Sequence, residues 1–113
     1  MIRVIIESPY AGDVERNKKY LQRCIRFCLR NGESPYASHQ MLTEALDDND
    51  PIQRHAGIAA GFAWADSADF VRVFGDYDVS YGMRKAIAEH HRVGRVVIST
   101  MIGTNENPEE GCE

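Results

Sequence analysis

The sequence predicts a single α/β domain with a four- or five-stranded parallel sheet flanked by helices. Residues 2–6, 70–74 and 95–99 are short runs rich in β-branched residues, as expected of buried strands. Helical patterns separate them at a spacing typical of βαβ units. A chain of 113 residues is long enough for one domain of this kind.

The first helix is predicted over residues 13–30, where the apolar positions recur on one helical face. Asp13 has the side chain of an N-cap, and Asn31-Gly32 is typical of a helix end. Residues 33–37 form a weaker candidate strand, because Pro35 interrupts it.

The second helix is predicted over residues 52–67, with Asp50 as its N-cap and Pro51 at its first position. Its many small residues are expected to let it lie close against the sheet, with Phe62 or Trp64 at the margin. A further helix is predicted to begin at Val79 or Ser80, to run to Arg92 and to end at Gly94. This helix completes the predicted alternation of strands and helices.

The charge distribution divides the chain into a neutral body and an acidic tail. The chain has 13 Lys and Arg against 17 Asp and Glu, and four of these acids lie in residues 100–113. The remaining 13 acids balance the 13 bases, so the body has no basic stripe for a nucleic acid polymer. We therefore expect a domain over residues 1–99 and a mobile acidic tail over residues 100–113.

The composition also favours a cytoplasmic protein that contacts no membrane. No run of 18 apolar residues is present, and residues 1–9 are too short for a secretory signal. The odd set of cysteines, Cys24, Cys28 and Cys112, does not suggest a disulfide framework. Cys24 and Cys28 share a helical face without further metal ligands, so we expect them to pack in the core.

Two other clusters are also assigned to structure. The pair His90-His91 is expected on a solvated helix face, because neighbouring helical residues point in different directions. Residues 47–50 are expected to form a turn and an N-cap, since they lack the glycine and the final Glu of a calcium loop. We expect no metal and no cofactor, and no dinucleotide or Walker motif is present.

The candidate site follows from the geometry of parallel sheets, in which ligands bind beyond the carboxyl ends of the strands. Three predicted loops meet at that edge. The first contains Ser8, Pro9, Tyr10 and Gly12, the second contains Ser38-His39, and the third spans residues 76–83.

The richest of these stretches lies at the start of the last helix. Ser80 supplies a hydroxyl, Gly82 lets a ligand approach the backbone, and the free amides next to Met83 suit a phosphate or carboxylate. An ordinary capped helix with a glycine in its first turn remains the alternative. The stretch around Ser8 can likewise be a simple strand-to-helix turn.

Several of these segments together resemble the nucleoside 2-deoxyribosyltransferase superfamily, which includes deoxynucleoside 5′-monophosphate N-hydrolases. The resemblance covers residues 2–98. It is carried by Ile5-Ile6-Glu7-Ser8-Pro9-Tyr10, Gly12-Asp13-Val14-Glu15-Arg16-Asn17, Ala68-Asp69-Phe70-Val71, Ser80-x-Gly82-Met83 and Gly94. It implies a small Rossmann- or flavodoxin-like fold, chemistry at an N-glycosidic bond, and a homodimer or larger homo-oligomer.

The resemblance also implies roles for single residues. Ser80 matches the serine that helps to bind a 5′-phosphate in the monophosphate hydrolases, and Gly12 and Arg16 are candidates for further phosphate contacts. His39 matches a histidine near the sugar in some of these hydrolases, although a capping or surface role is the alternative. The ligand implied is a nucleoside monophosphate or a ribosylated relative.

One departure from the family pattern concerns the catalytic carboxylate. Family enzymes carry a Glu four residues after the helix glycine, and here that position is Ala86. A methyl group cannot attack an anomeric carbon. Glu89 lies nearby on the helix and is only a weak substitute, and Ile5 stands where the transferases have a supporting tyrosine.

We therefore expect a nucleotide-binding protein, for which three alternatives stay open. The first is an active N-hydrolase or deoxyribosyltransferase that uses another nucleophile, or whose Glu was replaced by engineering. The second is a non-catalytic phage protein that sequesters a nucleotide signal, and the third is a structural domain with a vestigial pocket. Because the superfamily includes small phage and bacterial domains of unassigned function, the resemblance also implies a bacterium or a phage-infected host cell.

Overall fold

The computed structural model, which describes residues 1–105, confirms the α/β fold with a four-stranded, all-parallel sheet. The strand order is β2-β1-β3-β4, with β1 paired to β2 on one side and to β3 on the other. The elements in chain order are β1 (Ile2–Glu7), α1 (Val14–Arg30), β2 (Glu33–Tyr36), α2 (Ser38–Ala45), α3 (Pro51–Ala65), β3 (Phe70–Phe74), α4 (Tyr81–Arg92) and β4 (Val97–Thr100).

The core has two halves because side chains of β1 alternate between the two faces of the sheet. Val4 and Ile6 belong to a buried cluster with α1, whereas Ile5 belongs to a second cluster with Met83 of α4. Helices α1 and α4 therefore cover opposite faces of the sheet.

Helix α1 is an amphipathic helix with the predicted ends. The Asp13 side chain accepts a hydrogen bond from the Arg16 amide, and Asn31 follows the last residue as the C-cap. Cys24 and Cys28 are fully buried free thiols of the core, as predicted, and burial raises the pKa of Cys28 to about 12. Helix α1 thus contributes packing rather than reactive sulfur.

The short helix α2 was not predicted, because residues 38–45 were assigned in part to a loop after the second strand. Its N-cap position, Ala37, makes no side-chain cap, and none of its residues is fully buried. Its contacts are mainly with α3, where an added Cβ at Gly61 would lie 2.7 Å from the Ser38 hydroxyl. Tertiary packing, rather than a local sequence signal, therefore accounts for α2.

Helix α3 begins as predicted, with the Asp50 side chain accepting from the Ile52 amide and Pro51 in the first turn. The expectation that its small residues pack on the sheet was wrong. Only Ala65 is buried, and Gly57 and Gly61 contact α2 instead. Trp64 remains 57% exposed. Most of α3 is therefore an apolar surface.

An ion pair crosses the sheet on the α1 side. The Arg72 guanidinium of β3 donates to both oxygens of Glu33 in β2, at 2.9 and 2.6 Å, and to the Thr100 hydroxyl of β4 at 3.0 Å. These hydrogen bonds from Arg72 hold the pKa of Glu33 below its usual value. One side chain thus ties three strands together.

Asp76, just after β3, holds the segment that follows β4 against the domain by hydrogen bonds. Its carboxylate accepts from the Tyr20 hydroxyl of α1 and from the amides of Ile102 and Gly103, at 3.0 and 2.7 Å for the two amides. These contacts attach Ile102 and Gly103 to the rest of the domain. The predicted mobility of the acidic tail over residues 100–113 stays a prediction, because residues 106–113 lie outside the described residues.

Within residues 1–105, no helix is long and apolar enough to cross a membrane.

We expect Asp76→Ala to lower the free energy of unfolding by about 2 kcal/mol, because it removes the shared acceptor of one hydroxyl and two amides. Urea denaturation followed by circular dichroism measures this change. The control is Asp48→Ala, which alters an exposed turn and should cost less than about 0.5 kcal/mol. Equal urea midpoints for Asp76→Ala and the wild type would contradict the role of Asp76.

Candidate functional site

The strand order reverses between β1 and β3, and we call the carboxyl edge of the sheet at this reversal the crevice. From β1 the chain moves outward to β2, whereas from β3 it moves in the opposite direction to β4. Such a reversal is the position at which open parallel sheets bind ligands. The loops after β1 and β3 border this crevice.

The loop after β1 is fixed by a side chain from α1. The Asn17 amide donates to the carbonyls of Tyr10 and Ala11, both at 3.0 Å, and Gly12 has a φ of +93° that favours glycine. Pro9 is buried. The fold alone accounts for Pro9 and Gly12, and Tyr10 contributes its carbonyl to the turn.

Ser8 and His39 are brought together although 31 residues separate them. The Ser8 hydroxyl lies 3.0 Å from Nε2 of His39, and Ser8 is only 3% exposed. The other ring nitrogen of His39, Nδ1, is buried and has no hydrogen-bond partner among the described residues, 1–105. Burial lowers the pKa of His39, and the nearby charge of Glu7 opposes this shift. His39 is therefore a neutral imidazole at neutral pH with one unused polar atom.

Glu7, the last residue of β1, is held by a histidine of α4. Nε2 of His90 lies 2.7 Å from Oε2 of Glu7, and Nδ1 of His90 lies 2.9 Å from an Arg95 guanidinium nitrogen. Since arginine can only donate, Nδ1 of His90 accepts, and Nε2 carries the proton that it donates to Glu7. His90 is therefore neutral and leaves the negative charge on Glu7.

Arg95 is itself held in place behind His90. Its guanidinium donates to the Asp66 carboxylate and to the Phe62 carbonyl, and the Phe62 ring packs edge-on against His90. His90 is 1% exposed, so its predicted place on a solvated face was wrong, whereas His91 is exposed as predicted. The pairing of both ring nitrogens explains how a polar ring can be buried there.

The start of α4 contains an N-cap beside an open backbone. The Ser80 hydroxyl accepts from the Met83 amide at 3.2 Å, while the first amides of the helix have no helical carbonyl to bond. Gly82 is helical, and an added Cβ there would meet no atom of residues 1–105 within 4 Å. In the described part of the chain, no steric or conformational feature therefore requires glycine at this position.

Arg16 supplies positive charge at the same edge. Its guanidinium lies 4.1 Å from the centre of the Tyr77 ring, in the loop after β3, and it donates to Oδ1 of Asn17. Arg16, in the first turn of α1, thus lies against the loop that follows β3.

Three other candidates lie outside this set of polar groups. The Met83 side chain is buried against Ile5, so it contributes packing rather than a ligand contact. Glu89 forms a two-point ion pair with Arg92, and the Ala86 methyl offers no reactive group.

Two surface depressions lie away from the carboxyl edge between β1 and β3, one beside Gly94 and the other beside Tyr36 and Trp64.

The sequence reasoning missed Glu7 and His90 as a pair because 83 residues separate them. Glu7 could have been recognised as a candidate from the sequence, since it is a charged residue directly after the apolar residues 4–6. Nothing local distinguished His90 from its neighbour.

The neutral state of His39 predicts a pH dependence of stability. The unfolded chain binds a proton at this site near the ordinary pKa of 6.5, whereas the folded chain resists protonation. The contribution is therefore complete above about pH 6.5 and is lost as the pH falls toward the lowered folded-state pKa. Urea denaturation at pH 7.5 and 5.5 should show a smaller loss of stability for His39→Gln than for the wild type.

The control for this experiment is His91→Gln on the exposed surface of α4, which should keep the wild-type difference between the two pH values. The same difference in His39→Gln would contradict a buried neutral His39.

Comparison with known proteins identifies one family. No curated protein and no solved structure matches the chain. The domain of unknown function DUF7768 matches over residues 2–100, which include every described strand and helix. The chain therefore belongs to the DUF7768 family.

Proposed function

We propose that this chain binds a nucleoside monophosphate, or a related ribosylated ligand, at the crevice between β1 and β3. The observation that carries the proposal is Gly82. It keeps the backbone of the first turn of α4 open at the strand edge, although nothing in its surroundings requires a glycine.

A phosphate is the group that this part of the crevice suits best. The Ser80 hydroxyl, the unpaired amides of the first turn and the positive end of the helix all favour an anion. Arg16, in the first turn of α1, adds a cation next to Tyr77 in the loop that precedes α4. Residues 1–99 as a whole are neutral, so the attraction is local to this edge.

Binding without turnover is the form of the proposal that the residues support. The Ala86 side chain cannot act as a nucleophile, and Glu89 is engaged by Arg92 at 2.5 and 2.9 Å. The resemblance to the deoxyribosyltransferase superfamily agrees with a nucleotide ligand and supplies no catalytic residue at these positions.

The test is calorimetric titration with nucleoside monophosphates, their 2′-deoxy forms and the matching nucleosides. We expect the monophosphates to bind at least about tenfold more tightly than the nucleosides, which corresponds to about 1.4 kcal/mol. Ser80→Asp should abolish this difference, because Asp keeps the helix cap but places a negative charge beside the phosphate.

The matched control exchanges the N-cap of α3, where Asp50→Ser is also a change between two good capping residues. It should leave both affinities unchanged. Equal affinities of the wild type for nucleosides and monophosphates would contradict a phosphate site at Ser80.

We also propose that two copies of the chain associate through α3. Ile52, Ile58 and Trp64 of this helix are 81%, 50% and 57% exposed, and Arg54 is its one formally charged residue. A helix that is apolar around its circumference is expected to be buried. A twofold partner would cover this surface, since the same patch would face itself.

Sedimentation equilibrium should therefore show a dimer of the wild type that Ala60→Glu converts to a monomer, because Ala60 is exposed on α3. Leu29→Glu, which introduces the same charge at an exposed apolar position of α1, should leave the dimer intact. A monomeric wild type at all concentrations would refute this association.

A further inference from the structure

We propose that a row of positive charges along α1 binds the acidic end of the same chain, residues 106–113. This interaction is independent of the proposed nucleotide site. It assigns an anionic partner to cations that no carboxylate of residues 1–105 neutralises.

One flank of α1 is a continuous row of basic side chains. They follow one another at steps of three or four residues, the spacing that places helical side chains next to each other on one face. We call this row the basic stripe, and it consists of Arg16, Lys19, Arg23, Arg26 and Arg30. The prediction that the body has no basic stripe rested on its balanced total charge, and the helical spacing corrects it.

The basic stripe forms no ion pair with a carboxylate of residues 1–105. The ion pairs of that part of the chain use cations outside the stripe, such as Lys18, which lies 3.3 Å from Glu44. Like charges three or four residues apart on a helix repel each other. The stripe is therefore unfavourable by itself, and an anionic neighbour would relieve the repulsion.

Two guanidinium groups of the stripe are withdrawn from water. Arg23 is 3% exposed, and its Nε has no hydrogen-bond partner among residues 1–105. Nε and Nη2 of Arg26 are likewise buried without a partner in that part of the chain. A nearby opposite charge lowers the cost of such groups without touching the buried atoms themselves. Lys19 and Arg30 are exposed, so a carboxylate can contact the stripe at these positions.

The segment after β4 lies beside the basic stripe. The Ile102 carbonyl accepts from Nη2 of Arg23 at 3.2 Å, in the middle of the stripe. Two residues later, the Thr104 carbonyl accepts from the Tyr77 hydroxyl at 3.2 Å, and the Tyr77 ring lies against Arg16. The chain therefore reaches residue 105 next to the first half of the stripe.

Charge and length both favour residues 106–113 as the occupant. This segment contains no Lys or Arg and four acidic residues, Glu106, Glu109, Glu110 and Glu113. Its eight residues can extend over about 26 Å, whereas the distance from Arg16 to Arg30 along a helix is about 21 Å. The segment is therefore long enough to bring its carboxylates to the stripe.

A nucleic acid fits the basic stripe less well than this segment does. The whole chain has a net charge of −4, which repels a polyanion at a distance. The buried Arg23 also cannot contact a phosphate backbone that lies across the surface. Residues 106–113 are instead tethered beside the stripe, and this tether gives them a high effective concentration there.

Carbodiimide crosslinking of the full chain, followed by peptide mass spectrometry, tests this contact. The reagent joins an amine and a carboxylate that touch each other through an amide bond, and Lys19 is the amine of the stripe. We expect Lys19 to be joined to residues 106–113 of its own chain. Lys18 should be joined to Glu44, 3.3 Å away, as the positive control, whereas Lys85 on α4 should not be joined to this segment.

Arg26→Glu should lower the yield of the Lys19 crosslink at least about threefold, because it places a negative charge within the stripe. The matched control is Arg84→Glu, the same change at an exposed position of α4, which should leave the yield unchanged. If Arg26→Glu fails to fold, as judged by circular dichroism, Arg30→Glu at the exposed end of the stripe replaces it and should cause the same loss.

A mixture of unlabelled and ¹⁵N-labelled chains separates contacts within a chain from contacts between chains. Lys19 crosslinks that form predominantly between chains would overturn the proposal in favour of a second copy. A Lys19 without crosslinks to residues 106–113, in a sample that joins Lys18 to Glu44, would overturn it and leave the stripe to an external polyanion. A yield that Arg26→Glu and Arg30→Glu leave unchanged would also overturn it, because the crosslink would then come from chance encounters of a tethered segment.

Discussion

Strand β1 pairs with a parallel strand on each side, so its backbone hydrogen bonds are used within the sheet and both of its faces need cover. Val4 and Ile6 pack against α1 on one face of the sheet, whereas Ile5 packs on the other face, which α4 covers. The connection through α1 leads from β1 to β2, whereas the connection through α4 leads from β3 to β4 on the other side of the sheet. The loops that precede these two helices therefore separate at the carboxyl end of β1. The position of the crevice, next to the partly exposed Glu7, follows from the central position of this strand.

The parts of the fold that have local causes could be predicted from the sequence. Asp13, Asp50 and Ser80 cap helices as expected, and the four strands lie within two residues of their predicted bounds. Helix α2 and the exposed surface of α3 could not be predicted, because they depend on how two helices pack against each other. Cap chemistry acts over three or four residues, whereas these contacts act between distant segments.

The residues of the candidate site also fall into those that the sequence predicts and those that depend on tertiary contacts. The sequence predicts that Ser8, His39, Ser80 and Gly82 lie at the carboxyl edge, because topology brings strand ends together whatever the side chains are. Their partners were not found: the burial of His90 depends on Glu7 and Arg95, and the environment of His39 depends on Ser8. The structure also separates residues that only pack, such as Met83, from those with unused polar atoms. The roles of these residues therefore depend on tertiary contacts that the sequence does not show.

The central claim is that a nucleotide occupies the carboxyl edge between β1 and β3. Amide chemical-shift mapping by NMR during titration with a nucleoside monophosphate tests it most directly. The account predicts that the largest shifts fall on Ser8, His39, Tyr81 and Gly82. Shifts centred on the depression beside Tyr36 and Trp64, or no shifts at all, would contradict it.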